Sequence, residues 1–368
     1  MDYINKLLIG ICNKLQLQPN LYESADKSYN TIATLLQESD KFNNVDLKIY
    51  PQGSFRLKTT VKPLKGNEFD LDFVAELPEN ADMTAKQLYE NIYLVLSTDG
   101  IHNNMLEKKS RCIRIKYAND FHIDIMPGKS INRSTNEIIV PDRNLSNWYH
   151  HSNPIGYADW FENQAKTQIR RFLFENRMSQ SAEPIDEQEV TAKLEPLRRA
   201  VQLVKRYRDV YCEKNNAEAV RSIVICTLMG HISSSYSNEI EIIDDFCRYV
   251  NRKIQDSQGK PFVVKNPVVN EILTEKWEED INNYKDFKSF INNLTTDMEQ
   301  LKKQTTNISI VTQMKKMFGD DITNDVVKEN TKHINDARKA GTLAVGTNGL
   351  LNTNKVGASV LKNTFYGK

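Results

Sequence analysis

Residues 45–76 decide the fold, and they read VDLKIYPQGSFRLKTTVKPLKGNEFDLDFVAE. Apolar and polar residues alternate up to Tyr50 and again from Phe69, which is the two-residue period of a β-strand. A Gly-Ser pair follows the first of these runs directly. The segment therefore predicts a strand, a glycine turn, a short helix and a second strand.

Two aspartates lie on one face of the second predicted strand. Since side chains alternate between the faces of a strand, Asp70 and Asp72 point one way while Phe69, Leu71 and Phe73 point into a core. Adjacent carboxylates repel each other unless a cation lies between them. Carboxylate oxygens suit Mg²⁺, which also keeps coordination positions for substrate phosphates. The pair therefore predicts a magnesium site.

The Gly-Ser pair predicts the phosphate-binding half of the same site. Glycine lets the backbone approach a ligand closely. The backbone N–H groups of Gly53 and Ser54, together with the serine hydroxyl, are suited to hold phosphate oxygens. The turn and the aspartates together predict a site for a nucleoside triphosphate and magnesium.

A third aspartate lies in the alternating run of residues 121–127, FHIDIMP. Asp124 shares a face with His122 and Met126, while the aromatic and branched residues face the other side. If this strand lies beside the Asp70–Asp72 strand, three acids converge. Two metal ions held there would activate an attacking hydroxyl and stabilise leaving pyrophosphate. Asp-x-Asp alone is a weak signal, whereas the ordered set of strands, turn and acids is specific.

Composition narrows the class of protein. The chain has 368 residues, which is enough for two domains, and a formal net charge of +1. A protein that binds long nucleic acid usually has a basic domain, so small nucleotides are the better expectation. The five cysteines form no Cys-x-x-Cys motif and read as reduced thiols. Neither a signal peptide nor a run of about 20 apolar residues is visible, so we expect a soluble, cytoplasmic protein.

Periodicity predicts helices around this core. Apolar residues recur at helical spacing in residues 2–16, 21–38 and 83–97. We expect the first two helices to pack against the sheet. From about residue 160 the chain reads helical, and residues 341–368 are expected to form a flexible tail.

The motif QGSFRLKTTVKP of residues 52–63 resembles that of the DNA polymerase beta-like nucleotidyltransferases and, more narrowly, that of the bacterial cGAS/DncV-like nucleotidyltransferases. The resemblance implies an α+β fold with a mixed twisted sheet flanked by helices, followed by a helical domain like that of oligoadenylate synthase. It implies a catalytic domain over residues 1–160 and a helical domain closing the nucleotide cleft over residues 161–300. A helical extension and the tail would occupy residues 301–368.

The resemblance also implies further site residues. Gln52 matches the family motif at the position before Gly53 and Ser54, and it is expected to bind nucleotide with them. The family carries a lysine that reaches the triphosphate from the helical domain, and Lys205 matches it, with Arg206 and Lys214 as alternatives. Ser222 matches a triphosphate-contacting serine, although a serine at a helix start is often only an N-cap.

The implied activity is condensation of nucleoside triphosphates, with release of pyrophosphate, into a cyclic di- or trinucleotide second messenger for anti-phage signalling. ATP, with or without a second base, is the expected substrate. Two Mg²⁺ ions are the expected cofactor, with Mn²⁺ as a substitute. The alternatives are a template-free nucleotidyltransferase acting on RNA or another acceptor, and a non-catalytic nucleotide sensor. The ending TFYGK is similar to family tails that are conjugated to other molecules, but Lys368 follows the glycine. Tail conjugation or a regulatory partner is therefore only an expectation.

Overall fold

The structure is a computed structural model. It describes residues 2–17, 19–43, 45–64, 68–117, 121–132, 134–145, 149–170, 194–232, 236, 238–345, 351–352 and 357–360. The described helices are α1 (Asp2–Leu15), α2 (Pro19–Gln37), α3 (Gly53–Arg56), α4 (Ala85–Thr98), α5 (Pro154–Arg170), α6 (Pro196–Asn215), α7 (Ser222–Gly230), α8 (Glu239–Asp256), α9 (Lys276–Glu279), α10 (Ile281–Lys303), α11 (Asn307–Phe318) and α12 (Asp320–Ala340).

The described strands are β1 (Lys48–Pro51), β2 (Phe69–Leu77), β3 (Leu106–Lys108), β4 (Ile113–Tyr117), β5 (Phe121–Asn132), β6 (Glu137–Pro141), β7 (Tyr149–Ser152), β8 (Ala344–Val345), β9 (Leu351–Asn352) and β10 (Ala358–Ser359). The order β1, α3, β2 confirms the predicted strand, turn, helix and strand.

The central sheet is mixed, as predicted. Its strand order is β1-β2-β5-β4-β3, and β6 extends it from the far half of β5 and pairs in turn with β7. The pair β2–β5 is parallel, whereas β1–β2 and β4–β5 are antiparallel. The two aspartate-bearing strands are therefore direct neighbours, which is the arrangement that the sequence analysis required.

One face of the sheet is covered by α2 and α4. Phe69, Leu71 and Phe73 are buried there, as predicted, together with apolar residues of β4 and β5. Helix α2 contacts this face through Tyr29, whose ring stacks on Phe73 with the centroids 4.4 Å apart. Helix α4 begins at a capping box in which Thr84 and Gln87 satisfy each other's backbone N–H groups. The opposite face of the sheet carries a small apolar cluster of Val74, Ile138 and Val140 as well as polar residues.

Helix α1 packs elsewhere, so the prediction that both N-terminal helices cover the sheet is right for α2 and wrong for α1. Its buried residues Leu7 and Ile11 belong to the core formed by α5–α8 and α10–α12. A Cβ on Gly10 would lie 2.5 Å from a methyl of Val326 in α12, so these helices approach closely. The amphipathic pattern of α1 shows which side is buried but not which element covers it.

The segment expected to be a flexible tail contains a small antiparallel sheet of β8, β9 and β10. Leu343 and Ala344 are buried, and the N–H of Val360 donates to the carbonyl of Leu343 at 2.9 Å. Residues 361–368, with Lys368, lie outside the described residues. Among the helices that the structure describes, none is long and apolar enough to cross a membrane.

Candidate active site

Three neighbouring strands place polar side chains in two rows on the open face of the sheet. Register partners on adjacent strands present their side chains to the same face. The rows, taken across β2, β5 and β4, are Asp72–Asp124–Arg114 and Asp70–His122–Lys116. The three predicted aspartates therefore converge, and a histidine and two cations share their face.

Arg114 fixes the carboxylate of Asp124. Its Nε and Nη2 donate to Oδ1 and Oδ2 of Asp124, each at 2.7 Å. Asp124 is buried, and such a bidentate contact holds a carboxylate in one orientation. Nη2 of Arg114 also lies 4.0 Å from Oδ1 of Asp70, so one guanidinium neutralises part of the charge on both strands.

His122 joins the second row to the first. Its Nε2 lies 3.0 Å from Oδ1 of Asp70, and its Nδ1 lies 3.5 Å from Oε2 of Glu68. Burial lowers the pKa of His122, but the contact with Asp70 outweighs burial, and the pKa is raised overall. One ligand atom from each of Asp70, His122 and Asp124 lies within 4.8 Å of the others.

The pKa of Asp72 is strongly shifted by its surroundings in the site. Burial raises the pKa of Asp72 well above its usual range, and the charges of Asp70 and Asp124 raise it further. Three carboxylates this close ionise together only if a cation joins them. The donor set of carboxylates and one imidazole fits a divalent cation, which supplies the missing positive charge.

Gly53 lies directly against this carboxylate. Its φ is +59°, and a Cβ at this position would lie 2.2 Å from Oδ2 of Asp72. The backbone N–H of Gln52 donates to the carbonyl of Asp72 at 2.8 Å, which joins the turn to β2. The Nε2 atom of Gln52 lies 3.7 Å from the sulfur of Met126. Gln52, Gly53 and the adjacent Ser54 are therefore placed beside the aspartates, and their contacts with phosphate stay a prediction.

Helix α6 binds the segment that follows the turn. Four of its side chains donate to backbone carbonyls of residues 57–62: Arg198 to Leu57, Lys205 to Thr59, Gln202 to Thr60 and Arg206 to Lys62. Lys205 is buried, with 2.9 Å between its Nζ and the carbonyl oxygen. Desolvation lowers the pKa of Lys205. In the structure, the hydrogen bond of Lys205 to Thr59 supports the segment that follows the turn. A contact of Lys205 with triphosphate stays a prediction.

The other predicted cations and Ser222 have partners in the helical part. Ser222 is the first residue of α7, and its hydroxyl accepts from Nη1 of Arg208 at 3.0 Å. Arg206 donates to the carbonyl of Phe318 at 2.9 Å, and Lys214 donates to the carbonyl of Lys316 at 3.0 Å. Binding of phosphate by Ser222 stays a prediction.

The sequence alone gives His122 no role and leaves two interpretations of Arg114 open. Arg114 belongs to a cation-rich set that could attract nucleotide phosphates or, equally well, form a solvated strand near the sheet edge: Lys108, Lys109, Arg111, Arg114 and Lys116. Only the register of β4 against β5 shows that Arg114 faces Asp124. His122 stands two residues before Asp124, and the two-residue period alone places it on the same face.

Several known proteins are similar to this chain in sequence. Residues 3–165 match the profile of the Second Messenger Oligonucleotide or Dinucleotide Synthetase domain. A c-di-GMP synthase of Roseivirga ehrenbergii is 32% identical over 367 residues, covering 98% of this chain and 96% of the relative. The cyclic dinucleotide synthase CdnG of Bradyrhizobium diazoefficiens is 22% identical, with 89% of this chain and 83% of the relative covered.

Solved structures show the same fold. The Bradyrhizobium diazoefficiens CdnG structure in complex with GTP has a TM-score of 0.72 at 22% identity, with 90% of this chain and 100% of that chain covered. The Vibrio cholerae DncV cyclic AMP-GMP synthase in complex with nonhydrolyzable GTP has a TM-score of 0.59 at 16% identity. That match covers 88% of this chain and 87% of the other.

Proposed function

We propose that this chain, which belongs to the cGAS/DncV-like nucleotidyltransferases, joins two GTP molecules into a cyclic dinucleotide at its three aspartates. The class of activity is that of its relatives, so the chain is a nucleotidyltransferase that makes a cyclic oligonucleotide. The base, the ring size and the residues that act are the proposal.

The observation that carries the proposal is the row of Asp72 and Asp124, with Asp70 beside it on the same face. In each of two transfers, a ribose hydroxyl of one nucleotide attacks the α-phosphorus of the other. The new phosphorus–oxygen bond forms as the bond to pyrophosphate breaks, and the hydroxyl gives up its proton. We assign Asp124 as the acceptor of that proton, because its strand places it directly opposite Asp72, on the face that carries all three acids.

We assign Asp70, Asp72 and Asp124 as ligands of divalent cations, with Mg²⁺ or Mn²⁺ as the candidates and two ions as the expected number. Bound there, such ions supply positive charge to the triphosphate and acidify the attacking hydroxyl. The support from this structure is the raised pKa of Asp72, which burial and two neighbouring carboxylates cause and which a cation would reverse.

The remaining site residues position the triphosphate. We propose that the backbone of Gly53 and the hydroxyl of Ser54 hold its oxygens, with Gln52 beside them. The close contact between Gly53 and Asp72 supports this assignment, because it brings the turn against the acids. Lys205 supports the turn through Thr59, and we propose that Lys205 and Ser222 add to triphosphate binding from the helical part.

Guanine is the proposed base, although sequence analysis favoured ATP. The support is the Roseivirga ehrenbergii relative, which covers 98% of this chain and is named a c-di-GMP synthase. The structure of the Bradyrhizobium diazoefficiens relative in complex with GTP agrees with it.

The test is incubation of the purified protein with each nucleoside triphosphate alone and with all four, followed by phosphatase treatment and mass spectrometry. We expect GTP alone to give a phosphatase-resistant product with the mass of a cyclic di-GMP. A product that requires ATP would contradict the base assignment. A linear product, or one attached to RNA, would favour the template-free alternative. The Asp124→Asn variant is the control for contaminating activity.

We further propose that the product acts as a second messenger in anti-phage signalling in the cytoplasm, as the family resemblance implies. The test is the plating efficiency of phages on cells that carry the chain with its neighbouring genes. Protection that is equal for the wild type and the Asp124→Asn variant would contradict a role for the product.

A further inference from the structure

We propose that His122 is a nitrogen ligand of the divalent cation and that it shifts the site's preference from Mg²⁺ toward a transition-metal ion such as Mn²⁺. This inference rests on the proposed function, because the cation is the one that Asp70 and Asp124 hold. It adds a ligand and a metal preference that three aspartates alone do not provide.

The first argument is position. His122 stands on β5 in the second row, directly opposite Asp70, just as Asp124 stands opposite Asp72 in the first row. A ligand atom of His122 lies within 4.8 Å of ligand atoms of Asp70 and Asp124. The imidazole therefore occupies the place that a fourth carboxylate would occupy in a site built only from acids.

The second argument is the set of groups around the ring. His122 contacts two acids, Asp70 through Nε2 at 3.0 Å and Glu68 through Nδ1 at 3.5 Å, and its side chain is 13% exposed. The two cations that face it from β4 are engaged by other acids. Arg114 is bound by Asp124 at 2.7 Å, and Lys116 is bound by Glu107 at 2.9 Å. Both ring nitrogens thus lie near carboxylates, although the buried Nε2 makes no hydrogen bond of normal geometry among the described residues, and neither cation is bonded to the ring.

A contrasting histidine shows what a structural role looks like in this chain. His102 is 2% exposed, its Nδ1 lies 2.5 Å from Asp99, and its Nε2 lies 3.3 Å from the hydroxyl of Tyr117. Both of its nitrogens are engaged by a local turn and an aromatic neighbour. His122 instead has its nitrogens between acids of the candidate active site.

The third argument is ligand chemistry. Mg²⁺ is bound almost wholly through oxygen, whereas imidazole is a good ligand for first-row transition-metal ions. One nitrogen among carboxylates therefore favours Mn²⁺ relative to Mg²⁺. Replacement of His122 by glutamine offers an oxygen donor instead, so it removes the nitrogen while it preserves a polar side chain of similar reach.

The test is pulsed electron paramagnetic resonance of Mn²⁺ bound to protein in which only histidine carries ¹⁵N. Spectra are taken with Mn²⁺ alone and with Mn²⁺ plus a nonhydrolysable GTP analogue. We expect a ¹⁵N coupling of a directly bound imidazole in the wild type and its loss in His122→Gln. The matched control is His151→Gln, because His151 is half exposed and paired with Glu137, and it should keep the coupling.

Titration of free Mn²⁺, with and without competing Mg²⁺, gives the preference itself. We expect His122→Gln to weaken Mn²⁺ about tenfold, in the range found when groups that support a metal site are removed, and to weaken Mg²⁺ much less. Absence of the coupling in the wild type, its persistence in His122→Gln, or equal weakening of both metals would overturn the proposal. A folded wild type that shows the coupling but makes no cyclic product would instead overturn the proposed function.

Discussion

Replacement of Gly53 by alanine should lower the catalytic rate much more than the stability, because the new methyl group meets the side chain of a single site residue, Asp72. A Cβ at this position would lie 2.2 Å from Oδ2 of Asp72, whereas ordinary contact begins near 3.4 Å. The carboxylate oxygen must therefore move by about 1.2 Å, which is the difference between the two distances. A misplacement of about 1 Å at a reacting centre costs roughly a hundredfold in rate.

The effect of Gly53→Ala on folding should be small. Alanine at positive φ costs about 1–2 kcal/mol, and its lower entropy in the unfolded chain returns roughly 0.4–1 kcal/mol. Gly341→Ala is the matched control, because Gly341 has a φ of +65° and its Cβ would meet nothing within 4 Å. Urea unfolding and the initial rate of cyclic product formation measure the two effects. A rate loss no larger in Gly53→Ala than in Gly341→Ala would refute the reasoning.

Three further outcomes follow from single side chains. Asp124→Asn should lower the rate of product formation, measured by mass spectrometry, by roughly a hundred- to ten-thousandfold without unfolding the chain. A rate within tenfold of wild type would contradict the role of Asp124 as proton acceptor. Lys205→Met leaves the buried carbonyl of Thr59 without its hydrogen-bond donor, so it should lower the free energy of unfolding in urea by about 1–3 kcal/mol. It should also raise the KM for GTP. Wild-type stability would contradict the role of Lys205 in supporting the turn, and an unchanged KM would contradict its role in triphosphate binding. Burial raises the pKa of Glu271, but hydrogen bonds, first the one from His150, outweigh burial, so the pKa is lowered overall. Glu271 therefore stabilises the fold at pH values above its pKa in the unfolded chain. This stabilisation is lost as the pH falls through its pKa in the folded chain. Unfolding free energy should accordingly fall less below about pH 4.5 in Glu271→Gln than in wild type, and superimposable pH profiles would contradict this.

The candidate site was predictable where it depends on local periodicity. The two-residue period separates Asp70 and Asp72 from the buried Phe69 and Leu71, and the structure confirms that division. The same period places Asp124 on one face of its own strand. Local spacing is enough for these statements because each concerns a single strand.

The remainder depends on pairing between distant segments. Arg114 faces Asp124 because β4 pairs with β5 in one register, and a shift by one residue would turn Arg114 to the other face. Helix α1 joins the helical core because α6 and α12 meet its apolar side. The contact of Lys205 with Thr59 joins residues 146 positions apart. Each of these contacts joins segments that are far apart in the chain, so no local sequence pattern predicts it.

The central claim is that Asp70 and Asp72, with Asp124 beside them, carry out nucleotidyl transfer. The most direct measurement is the amount of phosphatase-resistant product formed from GTP and divalent metal by the wild type and by the double variant Asp70→Ala/Asp72→Ala. Unchanged circular dichroism and thermal melting would show that the variant is folded. We expect product from the wild type and none above background from the folded double variant. Product from the double variant at a rate close to wild type would contradict the account.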